Sequence, residues 1–183
     1  PLAAASEGVL RELAFALNMT GFGAGVFMYV GLLALTMARH FLGAPVEGKM
    51  TPTLWVHLAP LSVIPLSMLA LLKTTGDASL LRYGSLVAAA FLGAALWWLV
   101  LAVSMTIRNR RLGKLPFALS WWAFVFPIGA CSVLAYRVSE LLALEVLPLV
   151  AGGLTLLALF VWSAAALGTV RGIRTGAIFA PAH

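Results

Sequence analysis

Charged residues are scarce in this sequence of 183 residues. Only 10% of the side chains are charged, whereas 62% are hydrophobic, and the mean hydropathy is +1.03. A soluble domain is roughly half apolar and about a quarter charged. A soluble protein of this length could not bury so much apolar surface. The composition therefore predicts an integral membrane protein.

Residues that usually carry chemistry are also few. The apolar segments contain no Asp, Glu or Lys, so a relay of carboxylates is disfavoured. Cys131 is the only cysteine, so the chain cannot form an internal disulfide. We find no Cys/His metal cluster, no pair of histidines at haem-ligand spacing, no P-loop and no Gly-x-Ser-x-Gly motif. We therefore expect no metal, no cofactor and no enzymatic activity.

A nucleic-acid partner and a secretory leader are likewise not indicated. The net charge is +6, but the cations lie between the apolar runs, as orientation signals do. No basic region precedes a short apolar core at the start of the chain. Because the sequence begins at Pro1, we expect a processed chain or a piece of a longer protein.

Five apolar runs are long enough to cross a bilayer as helices, which takes about 20 residues each. They lie at about residues 13–41, 52–72, 83–107, 117–138 and 146–170. The runs are continuous rather than alternating, which excludes a transmembrane β-barrel. The prediction is an all-α integral membrane fold, with residues 1–183 forming one transmembrane domain in a lipid bilayer.

The distribution of Lys and Arg predicts the orientation. One set of alternate loops holds eight of them: Arg39, Lys49, Arg108, Arg110, Arg111, Lys114, Arg171 and Arg174. The opposite side holds Arg11, Lys73, Arg82 and Arg137, with five of the six acidic residues. The positive-inside rule therefore predicts a cytoplasmic C-terminus. We expect the membrane to be a bacterial inner membrane.

The second and fourth runs differ in kind from the third and fifth. They carry intramembrane prolines and polar residues, namely His57, Pro60, Ser62, Pro65, Ser67, Ser120, Pro127 and Ser132. A proline inside a helix frees a carbonyl, which is tolerated where the helix is buried in protein or lines water. An inner layer around a path and an outer layer facing lipid would produce this alternation, and so would chance among five runs.

The fourth run has Phe126 directly before a proline at its centre. The residues at helical spacing from it are Trp122, Gly129, Ala130, Val133 and Arg137. Small side chains beside Phe126 would leave open space, so the ring could plug a tube, and Arg137 near the outer mouth would attract anions. In the alternative, Phe126 fills a core and Arg137 only extends to the interface.

Two further features have alternative interpretations. His57 lies about one turn before Pro60, and an ionisable group inside a membrane is a functional hypothesis. It could equally be a neutral histidine that is hydrogen-bonded to a neighbouring helix or lies near the interface. Gly21 and Gly25 form a small-residue seam, which favours helix packing over a ligand site.

Two stretches resemble a known family. Ser120-Trp-Trp-Ala-Phe-Val-Phe-Pro-Ile-Gly-Ala130 resembles the penultimate helix of the tellurite-resistance/dicarboxylate transporters. That family includes plant slow anion channels, fungal malate permeases and yeast sulfite exporters. Pro52-Thr-Leu-Trp-Val-His-Leu-Ala-Pro-Leu-Ser-Val63 resembles its seventh helix. One plain helix lies between the two stretches, as in the family.

The resemblance implies a ten-helix fold of five hairpins around a central pore, with proline-kinked inner helices. It covers only helices six to ten, so we expect a fragment or a truncated product that supplies two of the five inner helices. It also implies homotrimers and a pore-occluding phenylalanine at Phe126. The candidate pore-lining residues are His57, Pro60, Pro65, Ser120, Pro127, Gly129, Ala130, Val133 and Arg137.

Two functions remain open at this point. The first is transport of small anions, such as C4-dicarboxylates including malate, sulfite or related oxyanions, through a pore occluded by Phe126. The second is a membrane scaffold or assembly subunit without transport, which would use the glycine seams at Gly21/Gly25 and Gly152/Gly153 for helix contacts.

Overall fold

The computed structural model describes residues 8–43, 51–115 and 117–176, and the regular elements in these ranges are all helical. In chain order they are α1 (Gly8–Leu42), α2 (Thr51–Trp55), α3 (Leu58–Thr75), α4 (Ala78–Arg111), a 3-10 segment (Leu119–Phe124), α5 (Val125–Leu142) and α6 (Leu147–Thr175).

Within these residues, five stretches are long and apolar enough to cross a membrane. They are Gly8–Leu42, Thr51–Thr75, Ala78–Arg111, Leu119–Leu142 and Leu147–Thr175. The prediction of an all-helical fold with about five spans is thereby confirmed. Several helices run past the apolar runs, because polar residues at their ends continue the backbone hydrogen bonding.

Two of the five spans are interrupted. The second span stops at Trp55, turns at Val56 and His57, and resumes as α3. The fourth begins as the six-residue 3-10 segment and becomes α-helical at Val125. A 3-10 run of this length is uncommon and often marks a strained or functional place in a helix.

The prolines lie inside the second and fourth spans, as predicted. Pro60 and Pro127 are nevertheless not in a helix interior, because each is the third residue of an α-helix. Amides in the first turn have no intrahelical partner to lose, so proline is tolerated there. Of these three prolines, Pro65 alone lies inside a helix, where it is buried.

The third and fourth helices form an antiparallel hairpin with a tight turn. Gly76 ends α3 in the left-handed conformation, with φ of 73°. Asp77 then caps α4, because its carboxylate accepts hydrogen bonds from the amides of Ser79 (2.8 Å) and Leu80 (3.2 Å). Gly84 lets the two helices approach, since a Cβ there would collide with the Leu72 side chain.

The core lies where α3, α4 and α5 pack on one another, and α6 packs against α5. Its most buried side chains include Leu58, Trp98, Ile128 and Leu134. The first helix stands apart, with Tyr29 as its one buried residue. No described atom lies within 4 Å of a Cβ built on Gly21 or Gly25, so the predicted seam has no partner in this part of the chain.

One face of α4 packs inward. We expected α4 to be a lipid-facing scaffold helix, yet Gly84, Ala88, Ala95 and Ala102 are buried along one face. Small residues at this spacing let neighbouring helices come close. Trp97, on the other side, is 49% exposed. The helix therefore packs on the interrupted spans with one face and turns the other outward.

Candidate functional site

The two interruptions lie side by side. Trp55 is the last residue of α2, and Phe124 is the last residue of the 3-10 segment. Their ring centroids are 5.2 Å apart at an interplanar angle of 87°, an edge-to-face contact. Trp121 adds a second such contact with Phe124 at 5.9 Å. The fold thus places the irregular backbone of two spans at one position in the bundle.

Side chains from the continuous helices hydrogen-bond to the first interruption. Trp98 Nε1 donates to the carbonyl of Leu54 at 2.7 Å, and the Tyr29 hydroxyl donates to the carbonyl of His57 at 3.2 Å. A bilayer core has no water to solvate the Leu54 carbonyl, which would otherwise cost several kcal/mol, whereas the His57 carbonyl also accepts from the Leu61 amide at 3.3 Å. These hydrogen bonds hold the interruption in place.

His57 lies in an aromatic environment. The ring is partly buried, with centroids 4.9 Å from Trp98 and 6.0 Å from Tyr29, and His40 approaches Trp98 at 6.0 Å. Within the described part of the chain, His57 Nδ1 is buried and has no hydrogen-bond partner. The interpretation of His57 as hydrogen-bonded to a neighbouring helix is therefore not supported for this atom.

Two helices begin at the interruptions. α3 starts at Leu58 and α5 at Val125, and no side chain caps either start. The backbone before each start is hydrogen-bonded, since the Val125 amide donates to the Trp122 carbonyl and the Ala59 amide donates to the Val56 carbonyl. A helix carries about half a positive charge at its N-terminus. Each interruption therefore places the positive end of one helix within a span.

The fifth helix has one open face. It packs on α3, α4 and α6, yet Phe126 is 66% exposed and Val133 is 51% exposed. A Cβ built on Gly129 would have no neighbouring atom within 4 Å, so space is open beside the Phe126 ring. The described residues do not bury the Phe126 ring, so the alternative in which it fills a core is not supported within this part of the chain.

The predicted pore-lining residues do not form one surface. Phe126, Gly129 and Val133 share the open face of α5, with Arg137 in line. Ser120 is exposed in the 3-10 segment, and His57 and Pro60 are partly buried at the first interruption.

Three candidates are corrected by the packing. Pro65, Pro127 and Ala130 are buried against neighbouring helices. They therefore do not face open space within this chain. The open space beside Phe126 comes from Gly129 and not from Ala130.

Arg137 is paired. Its guanidinium donates to Glu140 Oε2 at 2.8 Å, the one ion pair within the ranges that the structure describes. Both residues line a cleft of about 240 Å³ between α3, α4 and α5, together with Lys73. Two cations and one carboxylate leave the cleft with one net positive charge. We did not single out Lys73 from the sequence, although the charge count places it on the same side as Arg137.

Metal ligands do not come together in the described ranges, where no group of three or more His, Cys, Asp or Glu side chains could hold an ion. Cys131 is a buried free thiol. The groups that this site offers to an anion are the helix starts at the two interruptions and the cleft with one net positive charge.

The sequence is similar to a family of known proteins. Residues 2–170 match the family model described as voltage-dependent anion channel, SLAC1. Two proteins of Methanocaldococcus jannaschii, the uncharacterized transporters MJ0576 and MJ0762, are each 31% identical over 172 residues. The matches cover 94% of this chain and 50% of each relative, so the chain spans about half the length of these curated relatives. No solved structure matches it.

Proposed function

Because this chain belongs to the voltage-dependent anion channel family, we propose that it forms part of the wall of a transmembrane path for small anions. The observation that carries this proposal is the open face of α5, where Phe126 is 66% exposed although α5 packs on three other helices. We assign the rest of the wall to further helices of the intact protein, in line with the greater length of its relatives.

Backbone dipoles supply most of the attraction for anions in this proposal. α3 and α5 each begin at an interruption, so their positive ends lie within the spans, and the predicted spans hold no carboxylate that would repel an anion. The cleft with Lys73 and Arg137 forms one mouth. Arg108, Arg110, Arg111 and Lys114 provide cations at the other end of α4.

Phe126 is the gate in this proposal. Its ring projects from the open face of α5, and Gly129 leaves room for it to change rotamer. A bulky apolar ring in a narrow path raises the barrier to a hydrated anion, because the ion loses water without gaining a polar partner.

The proposed cargo follows from the anion-channel family and from the family resemblance of the sequence. We propose C4-dicarboxylates such as malate, sulfite or related oxyanions as substrates. We also propose a homotrimer, a bacterial inner membrane and a cytoplasmic C-terminus. Weak selectivity among these anions is expected, because helix dipoles discriminate less by shape than a bidentate arginine does.

The gate is tested in the intact protein, reconstituted in liposomes, by comparing anion flux for wild type and Phe126→Ala. We expect flux to rise by about tenfold, which corresponds to a barrier lowered by about 1.4 kcal/mol. Phe27→Ala is the matched control, because Phe27 is 82% exposed on α1, away from α5. Equal flux for the two variants and wild type would remove the gate assignment.

A scaffold without transport is the second candidate, and the glycine faces favour it. Nothing described lies within 4 Å of a Cβ at Gly21, Gly25, Gly152 or Gly153, so these faces are free to receive other helices. The same flux measurement separates the candidates. A scaffold gives no anion flux in wild type and none in Phe126→Ala.

A further inference from the structure

A second cleft, apart from the open face of α5, lies between α4 and α6 and reaches both interruptions. Its volume is about 250 Å³, and its lining is almost entirely apolar. Pockets for whole drug-sized ligands are usually about 300–1,000 Å³. The cleft is therefore suited to a segment of a long apolar chain rather than to a complete molecule.

The wall from α4 is a single helical stripe with a charge at its end. Val103, Thr106, Ile107 and Arg110 line the cleft at i, i+3, i+4 and i+7 spacing. The seven steps from Val103 to Arg110 rise about 10 Å along the helix axis. Arg110 is in the last turn of α4, so the charged end of the stripe is at the membrane interface and the apolar end is inside.

The wall from α6 has the same spacing. Leu157, Phe160, Val161 and Ala164 line the opposite side of the cleft. All four are apolar, and Phe160 is 70% exposed although it contributes to the cleft. The two stripes thus form a groove that is apolar along its length and cationic at one end.

The floor of the groove is made by the interruptions themselves. Trp55, Trp121 and Phe124 line it. The polar atom of Trp55 is already used, because its Nε1 donates to Thr106 Oγ1 at 2.9 Å, and Thr106 donates to the Ala102 carbonyl at 2.7 Å. This pairing leaves Arg110, which forms no ion pair within the described residues, as the polar group available to an occupant.

We propose that this groove binds an anionic phospholipid, with one acyl chain between α4 and α6 and the headgroup phosphate on Arg110. The charge complementarity is local and strong, since Arg108, Arg111 and Lys114 flank Arg110 in sequence. Because the acyl chain would lie on Trp55 and Phe124, lipid occupancy stabilises the contact between the two interruptions. The groove shares Arg110 with the cation cluster at this end of α4, and lipid retention is measured independently of anion flux.

The first test measures headgroup preference in the intact protein, purified in detergent and stripped of lipid. Native mass spectrometry counts retained phosphatidylglycerol or phosphatidylcholine with identical acyl chains. We expect one phosphatidylglycerol per subunit, retained about fivefold more strongly than phosphatidylcholine, because choline neutralises the phosphate charge of phosphatidylcholine and one cation near a net anionic lipid provides about 1 kcal/mol. Arg110→Gln should abolish the preference, whereas Arg108→Gln, outside the groove, should keep it.

The second test fills the groove. Ala164→Trp should prevent retention of either lipid, while Ser163→Trp, one residue off the stripe and exposed, should leave retention intact. Tryptophan quenching by brominated phosphatidylglycerol or phosphatidylcholine in bilayers needs no bulky variant. The stronger quenching by the anionic lipid should disappear in Arg110→Gln.

Three results would overturn the proposal. Equal retention of both lipids by wild type would remove the headgroup contact. An equal loss of preference in Arg108→Gln and Arg110→Gln would assign the effect to general surface charge. Unchanged lipid retention in Ala164→Trp would mean that another helix of the intact protein or a second subunit occupies the groove.

Discussion

This chain contains two helical hairpins with the same order of elements but different stabilising contacts. The first consists of α2, α3 and α4, and the second consists of the 3-10 segment, α5 and α6. Each begins with an interrupted span and continues with an unbroken one. In the first hairpin, a tryptophan on the unbroken helix hydrogen-bonds to the interruption, and Gly76 and Asp77 form the turn.

The second hairpin lacks these devices at its turn. There Ala143 adopts a left-handed conformation with φ of 52°, and no side chain caps α6. Its helices are joined in their middle, where Ser132 donates to the Ala151 carbonyl at 2.8 Å or shares a hydrogen bond with Thr155. They are also joined at the interruption, where Trp122 Nε1 donates to Thr169 Oγ1 at 3.1 Å. In both hairpins, side chains thus join the interrupted span to the unbroken one, although the turns differ.

The largest expected effect comes from removing the support of the first interruption. Trp98→Phe deletes the donor to the Leu54 carbonyl at a site that is only 2% exposed. A buried carbonyl without a partner and a smaller ring should cost about 3 kcal/mol. The apparent thermal unfolding midpoint of the detergent-solubilised intact protein should fall.

The neighbouring tryptophan provides the control for this change. Trp97→Phe alters the same ring type at a 49% exposed position and should leave the midpoint unchanged. If both variants unfold at the same temperature, the hydrogen bond across the hairpin is not what holds the interruption.

A medium effect is expected at the turn of the first hairpin. Asp77→Ala removes the acceptor for the amides of Ser79 and Leu80, which should cost about 1 kcal/mol. Asp77→Asn keeps an oxygen in the same place and should retain most of the stability. The thermal unfolding midpoints of the two variants are compared. If Asp77→Asn loses as much stability as Asp77→Ala, the stabilisation comes from the charge of Asp77 and not from its hydrogen bonds.

The smallest effect has the opposite sign and belongs to the second hairpin. Ala143→Gly relieves a left-handed conformation that costs a residue with a Cβ roughly 1 kcal/mol, so the variant should be stabilised by up to that amount. Ala90→Gly, at an exposed position inside α4, should instead lose about 1 kcal/mol. A lower midpoint for Ala143→Gly would mean that the two turns do not differ in strain.

Much of the fold could be predicted because the lengths of the apolar runs and the positions of the charged residues are read directly from the sequence of a membrane protein. The five runs and the two kinds of helix depend only on local composition. The family resemblance likewise depended on two local stretches, and the family match bears it out.

The interruptions and the inward faces could not be predicted in the same way. Trp97 and Trp98 are equally apolar, and a bilayer solvates either one, so hydropathy does not show which is buried. The spacing of Gly84, Ala88, Ala95 and Ala102 was the available signal for the inward face of α4. The prolines misled us because the same residue breaks a helix interior and begins a helix well.

The edge-to-face contact of Trp55 with Phe124 has a mechanical consequence. Trp55 ends the short first segment of the second span, and Phe124 ends the short first segment of the fourth span. Neither span can rotate or shift at its break without displacing the ring of the other. Any rearrangement of the two broken spans must therefore be concerted, and a substitution at either ring should be felt at both.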